Sequence, residues 1–429
     1  MKGTDTMNNF TAIVLATDFG ADMKSETPKY LHKICGKPVC KWVIDASVKA
    51  GVDKITLVIG NKCEEIKDTF GEAYSYAVQE EGKGTVHALM QAVGYINSDE
   101  LCIILNGDTP LITEDTIKTA VLYHEENKNA ATVVKDNTGT NSGIYILSAD
   151  LLRKVVTTLS EDNSCGQYSS ADIFEILLNL GVTTGIYVLS DLCELQVIND
   201  RIGLSQAEGI IQKRINTFHM RNGVTINLCD TVIIEDGVEI GTDTVINQNV
   251  TIKSGTKIGK KCIIGTGCVL EEAIISDNVD ILSSVIIKSS VGENTHVGPF
   301  AYIRPNCSVG KNVKVGDFVE LKNSNIDEGT KISHLTYVGD SDVGKRVNFG
   351  CGTVTVNYDG KNKFRTTIGD DAFIGCNTNL VAPVKLNDGA FTAAGSTITD
   401  DVPENNLAIA RARQVNKSGW KRPEKIEKK

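Results

Sequence analysis

The residue of this chain best suited to acid–base chemistry is His334, which stands in the segment 333–340 (SHLTYVGD). A histidine exchanges protons near neutral pH, so it could remove a proton from an amine that attacks an acyl group. Glu320 lies fourteen residues earlier, close enough along the chain to orient the imidazole ring. A histidine that simply lies on the surface is the alternative that these residues leave open.

A second stretch with chemical potential is 350–367, which contains GCGTVTVNYDGKNKF. It is long, polar and rich in glycine, asparagine, lysine and tyrosine, and it interrupts a regular pattern. Long polar loops on compact scaffolds commonly carry binding residues. We therefore expect a protruding loop with a functional role.

The elements that must position these residues follow a period of six. One large aliphatic residue per six positions is the hexapeptide signature of a parallel β-helix, in which short strands stack coil upon coil. Proteins built on such prisms are mostly acyltransferases. The hexads break at about 271–290, where Ile274, Ile281 and Ile287 predict an irregular coil, and again at about 350–367. The aliphatic positions are Ile234, Ile240, Ile246, Ile252, Ile258, Ile264 and Leu270; Val291, Val297, Ile303, Val309, Val315 and Leu321; and Ile368, Ile374, Leu380 and Leu386.

The first half of the chain shows a different pattern. Short buried strands, such as 10–16, 54–60 and 101–108, alternate with helical segments, which predicts a mostly parallel sheet with helices on both faces. Ligands of such sheets bind at the carboxyl ends of the strands. The loops after Ala16 and Leu105 are therefore the expected binding loops.

Composition narrows the class of protein. The 429 residues suffice for two or three domains, and the net charge of −10 argues against a general nucleic-acid binder. The twelve cysteines are scattered without metal-binding spacing, so we expect reduced thiols in a cytoplasmic protein. No apolar run is long enough to span a membrane, and no secretory signal is expected at the start.

Several long motifs of the second half resemble one family. Over about 290–420 the chain is similar to the acetyltransferase domain of the bifunctional bacterial enzyme of UDP-N-acetylglucosamine synthesis. That family joins glucosamine-1-phosphate N-acetyltransferase to N-acetylglucosamine-1-phosphate uridyltransferase. The motifs are RPN (304–306), FVELKNS (318–324), SHLTYVGD (333–340), VNFGCGTVTVNYDGKNKFRTTIGDDAFIG (347–375) and LVAPV (380–384).

The resemblance implies roles for individual residues, beginning with His334 as the catalytic base. Substrate binding is implied for Arg304, Lys322, Tyr337, Asn348 and Lys363, whose three cations suit a phosphate dianion. Acetyl-CoA binding is implied for Cys351, Asn357, Tyr358, Cys376, Ala394 and Arg411. Cys351 and Cys376 stand where the family usually has alanine and serine. The family further implies left-handed coils, a homotrimer with active sites between neighbouring prisms, and acetylation without a metal.

The first half resembles the uridyltransferase domain of the same family. The matching segments are MKSETPKYLHKICGKPV (23–39), QEEGKGTVHA (79–88) and NGDTPL (106–111). Nucleotide-sugar binding is implied for Leu15, Lys29, Gln79, Gly84, Thr85 and Asn141, and magnesium binding for Asp108 and Asn199. Magnesium is needed only if this site is functional.

The phosphate loop departs from the family pattern L-A-A-G-x-G-T-R-M. Residues 15–23 are LATDFGADM, with Asp18 at a glycine, Ala21 at the threonine and Asp22 at the arginine. A like-charge contact at about 4 Å costs on the order of 4 kcal/mol at an effective dielectric near 20. The segment 135–141 (KDNTGTN) is also shortened and lacks the glutamate that the family uses to hold the amino sugar. We therefore expect uridylyl transfer to be lost or weak.

Four segments follow from these patterns: a nucleotidyltransferase-like (Rossmann-like) α/β domain over 1–199, a connecting helix over 200–222, a β-helix over 223–402, and a capping segment with a basic tail over 403–429. Three functions remain open. The first is acetyl-CoA-dependent N-acetylation of glucosamine 1-phosphate alone, and the second is the fully bifunctional enzyme. The third is a non-catalytic trimeric scaffold that senses a sugar nucleotide.

Overall fold

A computed structural model describes residues 10–60, 64–161 and 170–423, apart from the side chains of 159–161 and 170–172. The chain divides into two compact units between Ile215 and Asn216. None of the described helices is long and apolar enough to cross a membrane. The two units are treated separately below.

The described part of the first unit is built on one mostly parallel sheet. Its strands lie in the order β3-β2-β1-β4-β6-β5-β7. Only β6 is antiparallel to its two neighbours, β4 and β5. This arrangement confirms the predicted α/β class. The strands are β1 (Phe10–Ala16), β2 (Lys54–Gly60), β3 (Ser75–Gln79), β4 (Leu101–Asn106), β5 (Ala131–Lys135), β6 (Asn141–Ser148) and β7 (Thr184–Val188).

Helices cover both faces of this sheet because its strands are apolar on both sides. Neighbouring residues of β1 belong to separate cores: Val14 packs in one cluster, and Ile13 packs in another on the opposite face. A strand buried on both faces is typical of parallel sheets. The helices are α1 (Val39–Lys49), α2 (Glu64–Phe70), α3 (Thr85–Ala92), α4 (Glu114–Glu126), α5 (Ala149–Glu161) and α6 (Ser170–Asn179). A small hairpin joins Lys33–Ile34 to Lys37–Pro38, and a last helix, α7 (Arg201–Arg221), contains the boundary between the two units.

The second unit is a three-sided parallel β-helix, as the hexads predicted. Each strand pairs with the strand one coil further on, as Thr251 pairs with Val269. The first sheet holds Thr225–Ile226, Val245–Ile246, Ile263–Ile264, Asp280–Ile281, His296–Val297, Lys314–Asp317, Lys331–His334, Asn348–Phe349, Phe373–Ile374, Phe391–Thr392 and Leu407–Ala408. The second holds Ile233–Ile234, Thr251–Ile252, Val269–Glu271, Val285–Ile287, Tyr302–Ile303, Glu320–Lys322, Tyr337–Gly339, Val354–Val356, Asn379–Val381 and Thr397–Ile398. The third holds Glu239–Ile240, Lys257–Ile258, Ile274–Ile275, Ser290–Val291, Ser308–Val309, Asn325–Ile326, Ser341–Val343, Thr366–Ile368 and Val384–Leu386.

The prism corners depend on turn residues. Asparagine repeatedly takes a left-handed backbone conformation there, as Asn294, Asn312 and Asn377 do, because its short polar side chain tolerates that region. Buried threonines bond to carbonyls of the following coil; Thr295 Oγ1, for example, donates to Gly310 O at 2.8 Å. The narrow interior is therefore aliphatic on the strands and internally hydrogen-bonded at the corners.

The two breaks in the hexads are shorter than the sequence suggested. In the first, Ile275 and Ile286 are buried, whereas Ile274, one of the three residues that predicted an irregular coil, is 56% exposed. The coil there is one residue shorter, since Lys257 pairs with Ile274. In the second break, Val354–Val356 continues the prism, and the excursion is confined to about 357–364.

Candidate active sites

One corner of the first prism sheet carries a column of predicted site residues. Asp317 pairs with His334, and the same register continues through the next coils. Extending the register of the later strand pairs by two residues adds Cys351, Cys376 and Ala394 to the column after Asp317 and His334. The backbone bonds from Asn377 N to Cys351 O and from Gly395 N to Cys376 O agree with this alignment. Arg411 reaches its far end, since a Cβ on Gly395 would lie 3.8 Å from Arg411 Cδ. The predicted base and four of the six predicted acetyl-CoA residues therefore follow one line on the prism surface.

His334 is held by a carboxylate, but not by the one that the sequence suggested. Its Nδ1 lies 2.5 Å from Asp317 Oδ1. The imidazole hydrogen bond lowers the pKa of Asp317, which favours its ionised form. Glu320 does not orient His334 here, because it lies on the second sheet of the prism and its carboxylate bonds to Arg304. Asp317 lies on the first sheet and is the register partner of His334 in the preceding coil. Spacing by one whole coil, seventeen residues here, is the signal that could have found it.

Glu320 instead contacts Arg304, the first of the three cations predicted to bind the sugar phosphate. Its Oε1 accepts a hydrogen bond from Arg304 Nη1 at 2.9 Å. Tyr337 is the register partner of Glu320 in the following coil. Arg304, Glu320 and Tyr337 therefore lie together on the second sheet of the prism.

Asp340 is a buried carboxylate with three hydrogen-bond donors around it. It was not predicted as a site residue, although it ends the SHLTYVGD motif. Its carboxylate accepts bonds from Lys322 Nζ at 3.0 Å, from Asn323 Nδ2 at 2.6 Å and from Asn357 Nδ2. Burial opposes ionisation of Asp340, but these three hydrogen bonds outweigh it and lower its pKa. Lys322 likewise has a raised pKa, because its contact with Asp340 outweighs the cost of burial. Lys363 lies beside Lys322, so two of the three predicted phosphate cations are together.

The excursion carries the remaining predicted residues. Tyr358 and Lys363 face each other across a β-bridge, and Phe364 N donates to Asn357 O at 2.9 Å. Tyr358 is exposed, with its hydroxyl donating to Gly360 O at 2.6 Å. Asn348 lies on the first sheet between Lys331 and Phe373 in register. The hairpin-like excursion thus brings Lys363 back to the prism wall beside Lys322.

In the first unit, Lys29 lies between two carboxylates at the expected strand ends. Its Nζ is 2.7 Å from Asp108 Oδ2 and 3.0 Å from Asp18 Oδ2, and its side chain is only 3% exposed. Burial opposes the charge of Lys29, but the two carboxylates outweigh burial and raise its pKa. For Asp18, hydrogen bonds from Gly20 N at 3.0 Å and from Lys29 outweigh burial and lower the pKa.

The loop geometry explains why Asp18 reaches Lys29. Gly20 has a φ of +81°, and a Cβ there would lie 2.8 Å from Lys29 Cβ. Only glycine permits both this conformation and this approach. The backbone N–H of Asp18 also donates to Tyr30 Oη at 3.2 Å. The loop therefore closes on the segment after it, with the Asp18 carboxylate on the lysine.

The other predicted nucleotide-sugar residues lie at neighbouring strand ends. Gln79 Nε2 donates to Gly84 O at 3.0 Å, which fixes the loop before Thr85, the first residue of α3. Leu15 O accepts from Gly107 N at 2.8 Å. Asn141 begins β6 and donates to Tyr145 Oη.

The magnesium ligands implied by the resemblance are also neighbours. Ile198 N donates to Asp108 O at 2.8 Å, which brings the adjacent Asn199 to Asp108. A carboxylate and an amide oxygen suit Mg²⁺, which takes few protein ligands and completes its shell with phosphates and water. Among the described residues, no group of three or more acidic, histidine or cysteine side chains could hold a metal. The Asp108 carboxylate already accepts a hydrogen bond from Lys29 Nζ. A magnesium ion held by Asp108 and Asn199 would therefore have to share this carboxylate with Lys29.

Comparison with protein families places each unit. Residues 12–171 match the MobA-like NTP transferase domain. Residues 288–323 match the bacterial transferase hexapeptide family, and residues 231–272 and 365–400 match the hexapeptide repeat of succinyl-transferase. The chain is thus a nucleotidyltransferase-like domain followed by a hexapeptide transferase.

Whole-chain relatives define the family further. The chain is 43% identical to "Bifunctional protein GlmU" of Caldanaerobacter subterraneus subsp. tengcongensis, covering 96% of this chain and 98% of the relative. It is 44% identical to the protein of that name from Clostridioides difficile, covering 98% of both chains. The Acetivibrio thermocellus protein is 46% identical, with 96% of this chain and 97% of the relative covered. The chain belongs to the bifunctional GlmU family and is an enzyme, which removes the scaffold hypothesis.

Proposed function

We propose that the prism transfers the acetyl group of acetyl-CoA to the amine of glucosamine 1-phosphate, with His334 as general base. The observation that carries this proposal is the column from Asp317 through His334 to Ala394. It sets a hydrogen-bonded histidine at one end of a line of small residues. Along that line an extended thioester can lie with its carbonyl at the imidazole.

The reaction balances with this chain's own groups. The substrate nitrogen attacks the thioester carbonyl while Nε2 of His334 takes a proton from it. The tetrahedral intermediate then collapses, the carbon–sulfur bond breaks, and the coenzyme A thiolate recovers that proton from the imidazolium. General base catalysis of this kind contributes about 10²- to 10⁴-fold to the rate.

The sugar phosphate would bind to Arg304, Lys322 and Lys363. Lys322 bonds to one carboxylate, Asp340, and has Lys363 beside it, whereas Arg304 has Glu320 as its partner. A phosphate dianion can therefore add charge-assisted hydrogen bonds where cations outnumber their carboxylates. Tyr337 and Asn348 would contact the sugar, and Asn357 and Tyr358 the acetyl end.

The active enzyme is proposed to be a homotrimer with its sites between prisms. Phe300, Phe318 and Leu335 are 58%, 57% and 57% exposed at corners of successive coils. The two phenylalanine rings stack at 5.4 Å. Such an apolar row suits burial against another copy of the chain. Because the reaction uses acetyl-CoA and the described cysteines are free thiols, we place the enzyme in the cytoplasm.

Replacement of the base tests the proposal. His334→Ala should lower kcat for acetyl transfer by about 10²- to 10⁴-fold. Thiol release from acetyl-CoA, measured over a panel of amino sugar phosphates, gives both the rate and the acceptor. His296→Ala is the matched control, since His296 lies two coils earlier on the same sheet. Wild-type turnover by His334→Ala would exclude it as the base.

The finer proposal concerns the first unit, where we infer that uridylyl transfer is lost or very weak. The Asp18 carboxylate is bonded to the Lys29 ammonium and accepts a hydrogen bond from Gly20 N–H. An incoming phosphate would need both of these groups. A triphosphate would have to displace this internal anion before it could bind. Asp22 adds a second negative charge at the position where the family has arginine.

The fully bifunctional enzyme is the second candidate, and the names of the relatives favour it. The matched chains are called bifunctional and align over nearly their whole length. In that case Asp108 and Asn199 would hold Mg²⁺, which would neutralise the phosphates, and Lys29 would bind the nucleotide. Measuring the formation of UDP-N-acetylglucosamine from UTP with magnesium decides between the two candidates. Turnover at ordinary enzyme rates would support the bifunctional enzyme and contradict the proposed loss of uridylyl transfer.

A further inference from the structure

The contact between Asp317 and His334 is built into the prism rather than formed by two mobile side chains. In the described part of the prism, Lys314–Asp317 and Lys331–His334 are the two strands of four residues. Each is extended just far enough to include the dyad residue at its end. Asp317 and His334 are register partners, so the coil-to-coil ladder fixes their separation.

Gly316 makes this close approach possible. A Cβ at that position would lie 1.9 Å from Ser333 O, a separation that real side chains do not reach. The two strands can therefore touch at this point only because residue 316 has no side chain. On the other side of the histidine, Thr336 Oγ1 donates to His334 O at 2.6 Å and fixes its backbone.

The dyad determines which imidazole nitrogen carries hydrogen. An ionised carboxylate only accepts hydrogen bonds, so Nδ1 must donate to Asp317 and Nε2 is left as the acceptor. When Nε2 takes a proton, the neighbouring negative charge stabilises the imidazolium that forms. Lys314, on the strand of Asp317, and its register partner Lys331, on the strand of His334, are charged groups of the same two strands. Cys351 in the next coil precedes Gly352, whose N–H donates to Leu335 O.

We propose that Asp317 is a positioning residue for acetyl transfer, which holds His334 in the tautomer and orientation that expose Nε2 to the substrate amine. This rests on the proposed role of His334 as base. Asp317 acts through the imidazole and is not assigned a contact with substrate. Glu320, which is bonded to Arg304, remains part of the phosphate-binding region.

The test is the pH dependence of acetyl transfer by Asp317→Asn and Asp317→Ala, with KM measured for both substrates. We expect kcat to fall about 10- to 100-fold in Asp317→Ala, a part of what general base catalysis supplies. Both KM values should change little. Loss of the negative charge makes the protonated imidazole less favourable, so the acid limb of the rate profile should move to lower pH in Asp317→Asn.

A matched control lies on the same sheet. Asp280 and His296 are also register partners, but His296 Nδ1 lies 4.0 Å from Asp280 Oδ2. Asp280→Asn should leave kcat and the pH profile unchanged. Equal melting temperatures of the variants and wild type establish that the effects are not due to unfolding.

Two results separate the possible failures. If Asp317→Ala and Asp317→Asn keep the wild-type kcat and pH profile while His334→Ala is inactive, Asp317 has no positioning role. If His334→Ala itself remains active, the proposed function of His334 fails and the dyad has no base to position. A drop in kcat with an unshifted acid limb would also overturn the proposal, since a merely structural role predicts that pattern.

Discussion

Lys29 in the first unit and Lys322 in the prism are both paired lysines at predicted phosphate sites, yet their surroundings differ. Lys29 bonds to two carboxylates, and its side chain is 3% exposed. Lys322 bonds to one carboxylate, is 19% exposed and has Lys363 beside it. The first cation is already neutralised and enclosed, whereas the second belongs to an accessible group with surplus positive charge.

The net charge at each predicted phosphate site therefore depends on the partners of the lysine more than on the lysine itself. Asp340 also divides its charge among Lys322 and two amides, so it does not cancel the lysine fully. Asp18 instead brings a whole extra carboxylate to a lysine that Asp108 already binds.

Replacement of the two aspartates in the loop of the first unit is the strongest test of the comparison between Lys29 and Lys322. Asp18→Gly combined with Asp22→Arg removes the internal anion and supplies a cation. We expect affinity for Mg²⁺–UTP to rise by about 10- to 10³-fold, the size of one or two relieved charge contacts. Calorimetric titration measures it, with UDP-N-acetylglucosamine formation as the second readout.

The control for that experiment is Asp150→Asn, which removes another carboxylate of the same unit, bonded to Arg153 at 3.2 Å. It should not alter UTP binding. Unchanged affinity in the Asp18/Asp22 variant would mean that the contact between Asp18 and Lys29 does not limit nucleotide binding. The contrast between the two lysines would then have no functional meaning.

The sequence predicted the architecture better than it predicted the contacts. Hexads define the prism because one inward position repeats in every strand, and Asp18 and Asp22 were visible as departures in a short motif. Asp317 and Asp340 were missed because their partners lie one coil away, and the coil length varies locally. Asn348 and Phe373, for example, are register partners 25 positions apart. Residue spacing could not decide between Glu320 and Asp317, which differ by three positions; only the register does.

The site around Lys322 and Lys363 should lose affinity for the sugar phosphate when one of its cations is removed. Lys363→Ala should raise KM for glucosamine 1-phosphate about 10- to 100-fold with a smaller change in kcat, the usual worth of one hydrogen bond to a charged group. Steady-state kinetics at saturating acetyl-CoA measures this. Lys361→Ala, an exposed lysine of the same excursion, is the matched control. An equal rise in KM for both variants would attribute the effect to general charge rather than to Lys363.

Thiol chemistry compares the accessibility of the proposed acetyl-CoA column with that of the core of the first unit. Cys376 is exposed on the acetyl-CoA column, whereas Cys40 is buried in the first unit, and burial raises the pKa of the Cys40 thiol well above its usual range. Iodoacetamide should therefore modify Cys376 and not Cys40, because the thiolate is the reactive form. Acetyl transfer should fall several-fold as Cys376 is alkylated, and bound acetyl-CoA should protect it.

Two variants check the assignment of that inhibition. Cys376→Ser should resist iodoacetamide, and Cys193→Ser, which removes the other cysteine found exposed among the described residues, should remain sensitive. Peptide mass analysis identifies the alkylated thiols. Rapid labelling of Cys40, or full activity after labelling of Cys376, would contradict the difference in accessibility.

The last expected effect concerns the stability that Asp340 gives the prism site. Its pKa is lowered in the folded state, because hydrogen bonds from Asn323, Lys322 and Asn357 outweigh burial. A carboxylate with a lowered folded pKa stabilises the protein above its unfolded pKa of about 3.9, and this contribution is lost as pH falls below that value. Asp340→Asn should therefore cost about 1–3 kcal/mol at pH 7 and progressively less below pH ~4.

Unfolding midpoints in urea, measured for Asp340→Asn and wild type across this pH range, test the claim. Glu404→Gln, at an exposed position of the last coil, should show no such pH-dependent difference. A destabilisation of Asp340→Asn that stays constant down to low pH would arise from packing rather than from charge. In that case Lys322 would not owe its position to an ionised partner, and the contrast with Lys29 would rest on exposure alone.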